Sequence, residues 1–317
     1  MEIKGHVLIT GANGFVGSHL SNTLLAMGAK VSEFVHSSSS QTSENQYVIN
    51  LTQREKVAIA FSSLQPNYVI HLAAQKNRTG DAAHFLKIYD ANVSMSVNVI
   101  DACKGLKNLN KFIFLGSCDE YGLVPTPFKE TQKETPFNAY GLSKLAITQL
   151  LMGLFNSYEF PAVVLRPAVV YGPAQGKEMF ISALIQSLVA NKDFAMTYGD
   201  QRRDFLYISD LINAIVKVML ADNLVNGRVL NIAAGVSYQL KAVASQVATL
   251  IEANAINRIK FGAINYRMNE GMDYSVDIAL AKKLIGWHPQ VSIEEGINLT
   301  INHFKNVENI KNDCINE

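Results

Sequence analysis

Apolar and polar positions follow two rhythms along this chain. Short runs rich in β-branched and aromatic residues recur through the first half: HVLIT (6–10), KVSEFV (30–35), QYVIN (46–50), YVIHL (68–72), KFIFLG (111–116) and AVVLRP (162–167). Between them, residues 18–27, 53–64 and 92–104 carry apolar side chains at three- and four-residue spacing. Short β-rich runs alternating with longer helical patterns predict an α/β fold, a parallel sheet with helices on both faces. Right-handed crossovers then make the sheet doubly wound.

Past Pro173 the rhythm changes. Helical spacing dominates residues 180–190, 210–220 and 240–253, with short extended pieces such as RVLNIA between them. The pattern predicts one domain over 1–171 and a smaller C-terminal domain over 172–317, with residues 205–235 packing back on the first. The serine run 37–40 reads as a loop, and the polar end NVENIKNDCINE as a frayed tail.

Composition removes several functional classes. The 317 residues are 48% apolar and 17% charged, with a formal net charge of +1, an ordinary globular balance. No basic stripe points to nucleic acid. No apolar run approaches the roughly 20 residues that span a bilayer. The first strand-like run begins almost at once, so no secretory leader is expected and the cytoplasm is the expected compartment. Cys103, Cys118 and Cys314 are an odd set without paired spacing, which fits a reducing compartment. No His/Cys cluster has ligand spacing, so no metal is expected.

HVLITGANGFVGSHL places Gly11, Gly14 and Gly17 between a strand and a helix. Glycines let backbone approach a pyrophosphate, and the helix N-terminus presents free N–H groups and the positive end of its dipole. The position of this G-x-x-G-x-x-G, after a strand and before a helix, is the context a dinucleotide cradle requires. An acidic residue at the end of the second strand would hold a ribose 2′-hydroxyl. That position falls near Val35, and Glu33 lies two residues early. His36, Ser37 and Ser38 follow, a set better suited to a 2′-phosphate, so NADP(H) is favoured and NAD(H) stays possible.

Tyr140 and Lys144 stand four apart, one helical turn on one face. A lysine ammonium favours a neighbouring phenolate, and such a tyrosine exchanges a proton with a hydroxyl or carbonyl centre. A Tyr-x-x-x-Lys spacing arises roughly once by chance in a chain of this size, so it gains weight only from its neighbours. One of these is GSCDEYG (116–122), a serine, a cysteine and two carboxylates directly after an apolar run. Cys118 has no histidine nearby in sequence to activate it as a nucleophile. His71, alone at a strand end, reads as a buried structural histidine.

The order TGANGFVG, HLAAQ (71–75), GSCDEYG, YGLSK, RPAVVYGP (166–173), RRDFLYISDL (202–211) and GWHP (286–289) resembles the extended short-chain dehydrogenase/reductase family of nucleotide-sugar epimerases, dehydratases and reductases. The resemblance spans nearly the whole chain. It implies a Rossmann domain followed by a substrate-binding domain. It makes Tyr140 the acid/base, gives Lys144 the roles of tuning Tyr140 and holding the nicotinamide ribose, and makes Ser117 the partner of the reacting sugar oxygen. It assigns Gly11, Asn13, Gly14, Phe15, Val16, Gly17, His36, Ser37, Ser38, Asn50, Leu51, Leu72, Ala73, Ala74, Tyr140 and Lys144 to the cofactor. Gln75, Ser117, Cys118, Asp119, Arg203 and Arg267 go to the nucleotide-sugar substrate, the two arginines as phosphate forks. Relatives pair through two helices each, which implies a homodimer.

The same resemblance bears on the reaction. Dehydratases of this family carry T-D-E-x-Y-G. Aligned on Tyr121-Gly122, Ser117 takes the threonine place, Cys118 the acid, Asp119 the base, and Glu120 a position normally apolar. On an extended segment a one-residue offset turns a side chain to the other face, which disfavours dehydration. Two readings remain: NADPH-dependent reduction of a nucleotide-linked 4-keto-6-deoxyhexose in deoxysugar or surface-polysaccharide biosynthesis, and NAD-dependent 4-epimerisation. Val169 where epimerases carry Asn, and Arg267-Met268-Asn269 where R-P-G is usual, depart from the family pattern. A catalytically silent NADP-binding regulator is the non-enzymatic alternative, and the intact Ser117, Tyr140 and Lys144 argue against it.

Overall fold

The computed structural model describes residues 3–36, 44–76, 82–267 and 270–315, with backbone alone from 308 onward. In chain order the first part runs β1 His6–Thr10, α1 Phe15–Ala26, β2 Lys30–Val35, β3 Gln46–Val48, α2 Arg54–Leu64, β4 Tyr68–His71, α3 Ala82–Cys103, β5 Lys111–Leu115, α4 Ala139–Tyr158 and β6 Ala162–Pro167. The rest runs β7 Val169–Tyr171, α5 Phe180–Val189, β8 Phe194–Ala195, β9 Arg202–Tyr207, α6 Ile208–Leu220, β10 Arg228–Ile232, β11 Ser237–Gln239, α7 Leu240–Ile251, β12 Ile259–Lys260, β13 Asp273–Tyr274, α8 Ala279–Ile285 and α9 Ile293–Ile315.

The central sheet has seven strands in the order β10-β6-β5-β4-β1-β2-β3. Every pair in it is parallel. The direction of strand addition reverses between β1 and β4, the switch point where a doubly wound sheet opens a crevice. Strand side chains alternate between two cores. Val7, Ile9, Ile113 and Leu165 face the cluster that contains Leu20, Leu24, Leu211 and Ile215 of α1 and α6. Leu8, Phe112, Phe114 and Val164 face Val57, Phe61, Val99, Ile147 and Leu151 of α2, α3 and α4. Burial on both faces explains why these strands read as unbroken apolar runs rather than as alternation.

The C-terminal half supplies both the seventh strand and a second lobe. β10 pairs with β6, and α6 packs on α1. A small sheet of β11, β9 and β13, with β7 on β9, and a β8–β12 ladder build the rest. Two buried aspartates pin that lobe. Asp204 accepts the Ala234 and Gly235 N–H groups at 2.7 and 2.8 Å. Asp210 accepts the Gln290 and Val291 N–H groups, both at 3.0 Å. Trp287, fully buried, donates its indole N–H to the Asp210 carbonyl at 3.1 Å.

Two elements differ from the sequence expectation. α3 begins at Ala82, ten residues before the expected start at 92. Its first turns leave the apolar Ala82, Ala83 and Leu86 exposed and bury only Ile88, which blurs the periodicity. The expected frayed end is helical to Ile315, because α9 lays Ile297, Thr300 and Ile301 into the core at helical spacing. Among the described residues no helix is long and apolar enough to cross a membrane, and no group of three or more His, Cys, Asp or Glu side chains could hold a metal ion.

Trp287→Ala removes a buried aromatic and its tie to α6. It is expected to cost about 3–5 kcal/mol in urea unfolding followed by far-ultraviolet circular dichroism. Asp210→Ala should lower stability in the same lobe without altering dinucleotide affinity.

Candidate active site

The cradle forms where β1 meets α1. Gly11 adopts φ +71°, in the left-handed region, and a Cβ there would lie 3.0 Å from the Ala73 backbone. A Cβ on Gly17 would stand 2.3 Å from the Gly11 carbonyl oxygen, so only glycine lets α1 start this close to the loop. Gly14 is the N-cap and offers no side-chain cap, and the first turn of α1 holds no acidic residue. The N–H groups of this turn are therefore left to a ligand, and anions are favoured there. This set fits a dinucleotide pyrophosphate. Asn13, Phe15 and Val16 lie on the same turn.

Glu33 does not serve the end of β2. Its carboxylate is buried and accepts the Ser21 hydroxyl and, at 2.8 Å, the Gln46 amide. β2 ends at Val35, and His36 is exposed just beyond it. Ser37 and Ser38 lie outside the described residues. Asn50 caps its own turn, accepting the Thr52 N–H at 3.0 Å, and Leu51 is buried beside it.

A hydrogen-bonded chain runs beneath the next loop. Ala73 N–H donates to Thr10 Oγ1 at 3.3 Å, and Thr10 Oγ1 meets His71 Nδ1 at 2.7 Å. His71 Nε2 meets Ser96 Oγ at 2.9 Å, and Ser96 donates to the Asn92 carbonyl at 2.8 Å. Since Ser96 spends its proton on Asn92, Nε2 must be the donor, and Nδ1 accepts from Thr10. Burial pushes His71 down to about 3, with the Lys144 charge adding to the effect, so the ring is neutral. His71 is thus a structural relay that orients the Leu72–Ala74 loop, as its setting in the sequence implies.

Asn92 ties this loop to Ser143 on the helix that carries Tyr140 and Lys144. Its side chain accepts the Gln75 N–H at 2.7 Å, and its amide faces the Gln75 carbonyl at 3.1 Å and Ser143 Oγ at 2.9 Å. Ser143 in turn donates to the Tyr140 carbonyl at 2.8 Å. Asn92 is not among the residues the resemblance assigns. Its only signal is a polar residue on the buried stripe of an apolar helix.

α4 starts at an Asn138 N-cap, whose side chain accepts the Gly141 N–H at 2.7 Å. Tyr140 and Lys144 are both buried, 8% and 3% exposed, on the face turned to β5. Lys144 Nζ donates to the Leu115 carbonyl at 2.6 Å and lies 4.5 Å from the Phe114 ring centroid and 5.7 Å from that of Tyr140. Burial pulls Lys144 down to about 7, with Glu120 opposing and Lys76 assisting.

GSCDEYG is not extended. Cys118–Glu120 form one 3-10 turn capped by Ser117, whose Oγ accepts the Asp119 N–H at 3.1 Å. The side chains therefore fan out around a turn instead of alternating between two faces, which replaces the strand geometry expected for this segment. Cys118 is buried among Tyr121, Phe128, Ala233 and Val276, with Sγ 3.5 Å from the Arg166 carbonyl. Burial and the nearby carboxylates push its thiol well up, so it is no nucleophile. Asp119 is half-buried. Glu120 points inward to Arg166 and Thr148.

The two arginines have different settings. Arg203 stacks 4.5 Å over the Tyr274 ring, donates to the Gly271 carbonyl at 2.8 Å and pairs with Glu270. Arg267 is exposed, four residues after Ala263 in the segment that leads to Glu270. Gln75 is exposed at the end of its loop.

The depressed Lys144 gives a pH-dependent stability with a fixed sign. Above pH 7 the folded protein binds fewer protons at this site than the unfolded chain, so stability rises with pH up to the ordinary lysine value. Lys144→Met removes that penalty. The stability advantage of the variant over the parent should shrink by roughly 3 kcal/mol between about pH 6 and about pH 9.5, read as unfolding free energies at each pH.

The model for the NAD dependent epimerase/dehydratase family matches residues 7–233. A UDP-glucuronate 4-epimerase of Thermodesulfobacterium geofontis is 26% identical, covering 97% of this chain and 98% of its own length. A CDP-abequose synthase of Salmonella muenchen is 26% identical over 94% of this chain and 97% of its own. Among solved structures, UDP-glucose 4-epimerase from Thermotoga maritima with UDP-glucose superposes with a TM-score of 0.88 at 24% identity, covering 96% and 99% of the two chains. With the cradle, the Tyr140–Lys144 helix and the seven-stranded sheet all in place, the chain belongs to the NAD-dependent epimerase/dehydratase family of extended short-chain dehydrogenases.

Proposed function

We propose that this protein reduces the C4 ketone of a nucleotide-linked 4-keto-6-deoxyhexose with NADPH. The observation that carries the choice is the end of β2. Residues 34–43 contain no Asp or Glu, and the carboxylate of Glu33 is occupied by Ser21 and Gln46. A ribose 2′-hydroxyl finds no acid there, while His36 stands exposed at the same place. That preference suits an enzyme that draws on exchangeable reduced cofactor.

A bound nicotinamide dinucleotide supplies the hydride. Gly11–Gly17, His36, Leu72–Ala74 and Lys144 would hold it. Ser117 Oγ already accepts the Asp119 N–H, which leaves its O–H proton to donate to the sugar oxygen. Tyr140 delivers the proton to the C4 oxygen as the ketone becomes an alcohol, and Lys144 favours the phenolate that forms. Arg203 and Arg267 serve the nucleotide phosphates. Dehydration lacks its acid, since Cys118 is buried and Glu120 is engaged on both oxygens.

Epimerisation at C4 is the second reading. It uses the same Ser117, Tyr140 and Lys144 with retained NAD, and the near-full-length likeness to a UDP-glucuronate 4-epimerase favours it. The two readings part on cofactor and stoichiometry. With dTDP-, GDP-, CDP- and UDP-linked 4-keto-6-deoxy sugars, reduction is expected to consume NADPH at 340 nm, and Tyr140→Phe to abolish that loss with the fold intact. Copurified NAD, with inversion at C4 of the corresponding C4-hydroxyl sugar nucleotides and no absorbance change, would establish epimerisation.

A homodimer belongs to the same reading. α3 and α4 pack side by side and leave Leu86 and Val97, and Leu142 and Leu150, exposed. A second copy covering these faces forms a four-helix interface. Light scattering should give twice the chain mass, and Leu86→Glu with Leu150→Glu should return it to the monomer.

A further inference from the structure

The resemblance leaves Glu120 without a role, yet both oxygens of its carboxylate are hydrogen-bonded. It is fully buried. Oε1 accepts the Ser117 N–H at 2.9 Å. Oε2 accepts the Thr148 hydroxyl at 2.9 Å and Arg166 Nε at 2.8 Å, and the Arg166 guanidinium also reaches Glu134 at 2.6 Å. Ser117 N–H donates to one oxygen and the Arg166 guanidinium, which can only donate, to the other, so the group is a carboxylate paired with Arg166. Burial pushes Glu120 up from its ordinary value and Arg166 pulls it back, and the bonding pattern decides for the charged form.

We infer that Glu120 is a positioning residue for the reaction: one buried carboxylate locks the Ser117 backbone to the Tyr140–Lys144 helix and supplies the negative charge that Lys144 faces. Each link is visible. Thr148 lies one turn after Lys144 on α4, so its bond to Glu120 clamps that helix to the turn bearing Ser117. Gly116 is required beside it, because a Cβ there would lie 2.3 Å from Glu120 Oε1. Around Lys144 the charged and titratable groups are Glu120, which favours the ammonium, Lys76, which opposes it, neutral His71, and Tyr140. Around Glu120 they are Arg166, Cys118 and, through Arg166, Glu134.

The inference rests on the acid/base reading of Tyr140 and Lys144, and its test separates the two. In 13C-lysine-labelled cofactor-free protein, the Lys144 resonance is identified by its loss in Lys144→Met and titrated by NMR. Glu120→Gln should move that titration down by about one pH unit and shift the alkaline limb of kcat by the same amount. It should lower kcat at about pH 8 roughly tenfold, with KM changed less than about twofold. Glu120→Asp, which keeps the charge but shortens the reach, should lower kcat while leaving the limb near its parent position. Glu134→Gln also weakens the Arg166 pairing but touches neither Ser117 nor Lys144, and should leave both titrations in place. If Glu120→Gln does not fold, Glu120→Gln with Arg166→Leu removes the pair as a unit and carries the same expected shift. An unmoved Lys144 titration, or an equal shift in Glu134→Gln, would overturn the inference. Full activity of Tyr140→Phe would instead overturn the acid/base reading and leave the NMR result standing.

Discussion

The ion pair between Glu120 and Arg166 is where the strands, the helix and the reactive turn are held together. Both side chains are fully shielded from water. Removing either partner would leave the other charge buried and uncompensated, which typically costs about 3–5 kcal/mol. The pair survives because it is saturated: Ser117, Thr148 and Glu134 fill the remaining positions around it. One bonded cluster thereby joins β6, the turn after β5, α4 and the loop before α4.

A second network, built on neutral groups, does the same for the other wall. Thr10, His71, Ser96 and Asn92 connect β1 and β4 to α3, and Asn92 carries the connection to Gln75 and Ser143. The two networks meet on α4, one at Ser143 and the other at Thr148, on either side of Lys144. Tyr140 and Lys144 thus sit on a helix fixed at two points. Such rigidity is what a proton transfer over hydrogen-bond distance needs.

Much of this was legible in the sequence. Five of the six apolar runs became strands buried on both faces, which writes a continuous apolar signal, while the sixth forms the short, partly exposed edge strand β3; the glycines of the cradle announced a close approach that the Gly17 geometry bears out. The alignment of Ser117, Tyr140 and Lys144 came from resemblance, not from periodicity. What the sequence hid depends on contacts distant along the chain. Glu120 was visible as a carboxylate, but its partners lie 28 and 46 residues away, and nothing local marks them. The 3-10 turn was read as extended because it directly follows a strand, and the capping bonds between Ser117 and Glu120 that bend it are contacts a strand-like register does not show. The last turns of α9, from residue 306, looked like a tail because they are mostly polar and lie beyond the residues of that helix that reach the core.

In the proposed reaction, hydride from NADPH ends on C4 of a nucleotide-linked sugar. The direct measurement is isotopic: incubation with NADPH deuterated at the transferred position of C4, followed by NMR and mass spectrometry of the sugar nucleotide. One deuterium at sugar C4 for each NADP+ formed is the expected result. No deuterium at C4 and no NADP+ formed from the 4-keto sugar nucleotides, with inversion instead of a C4-hydroxyl sugar nucleotide without deuterium uptake, would contradict it.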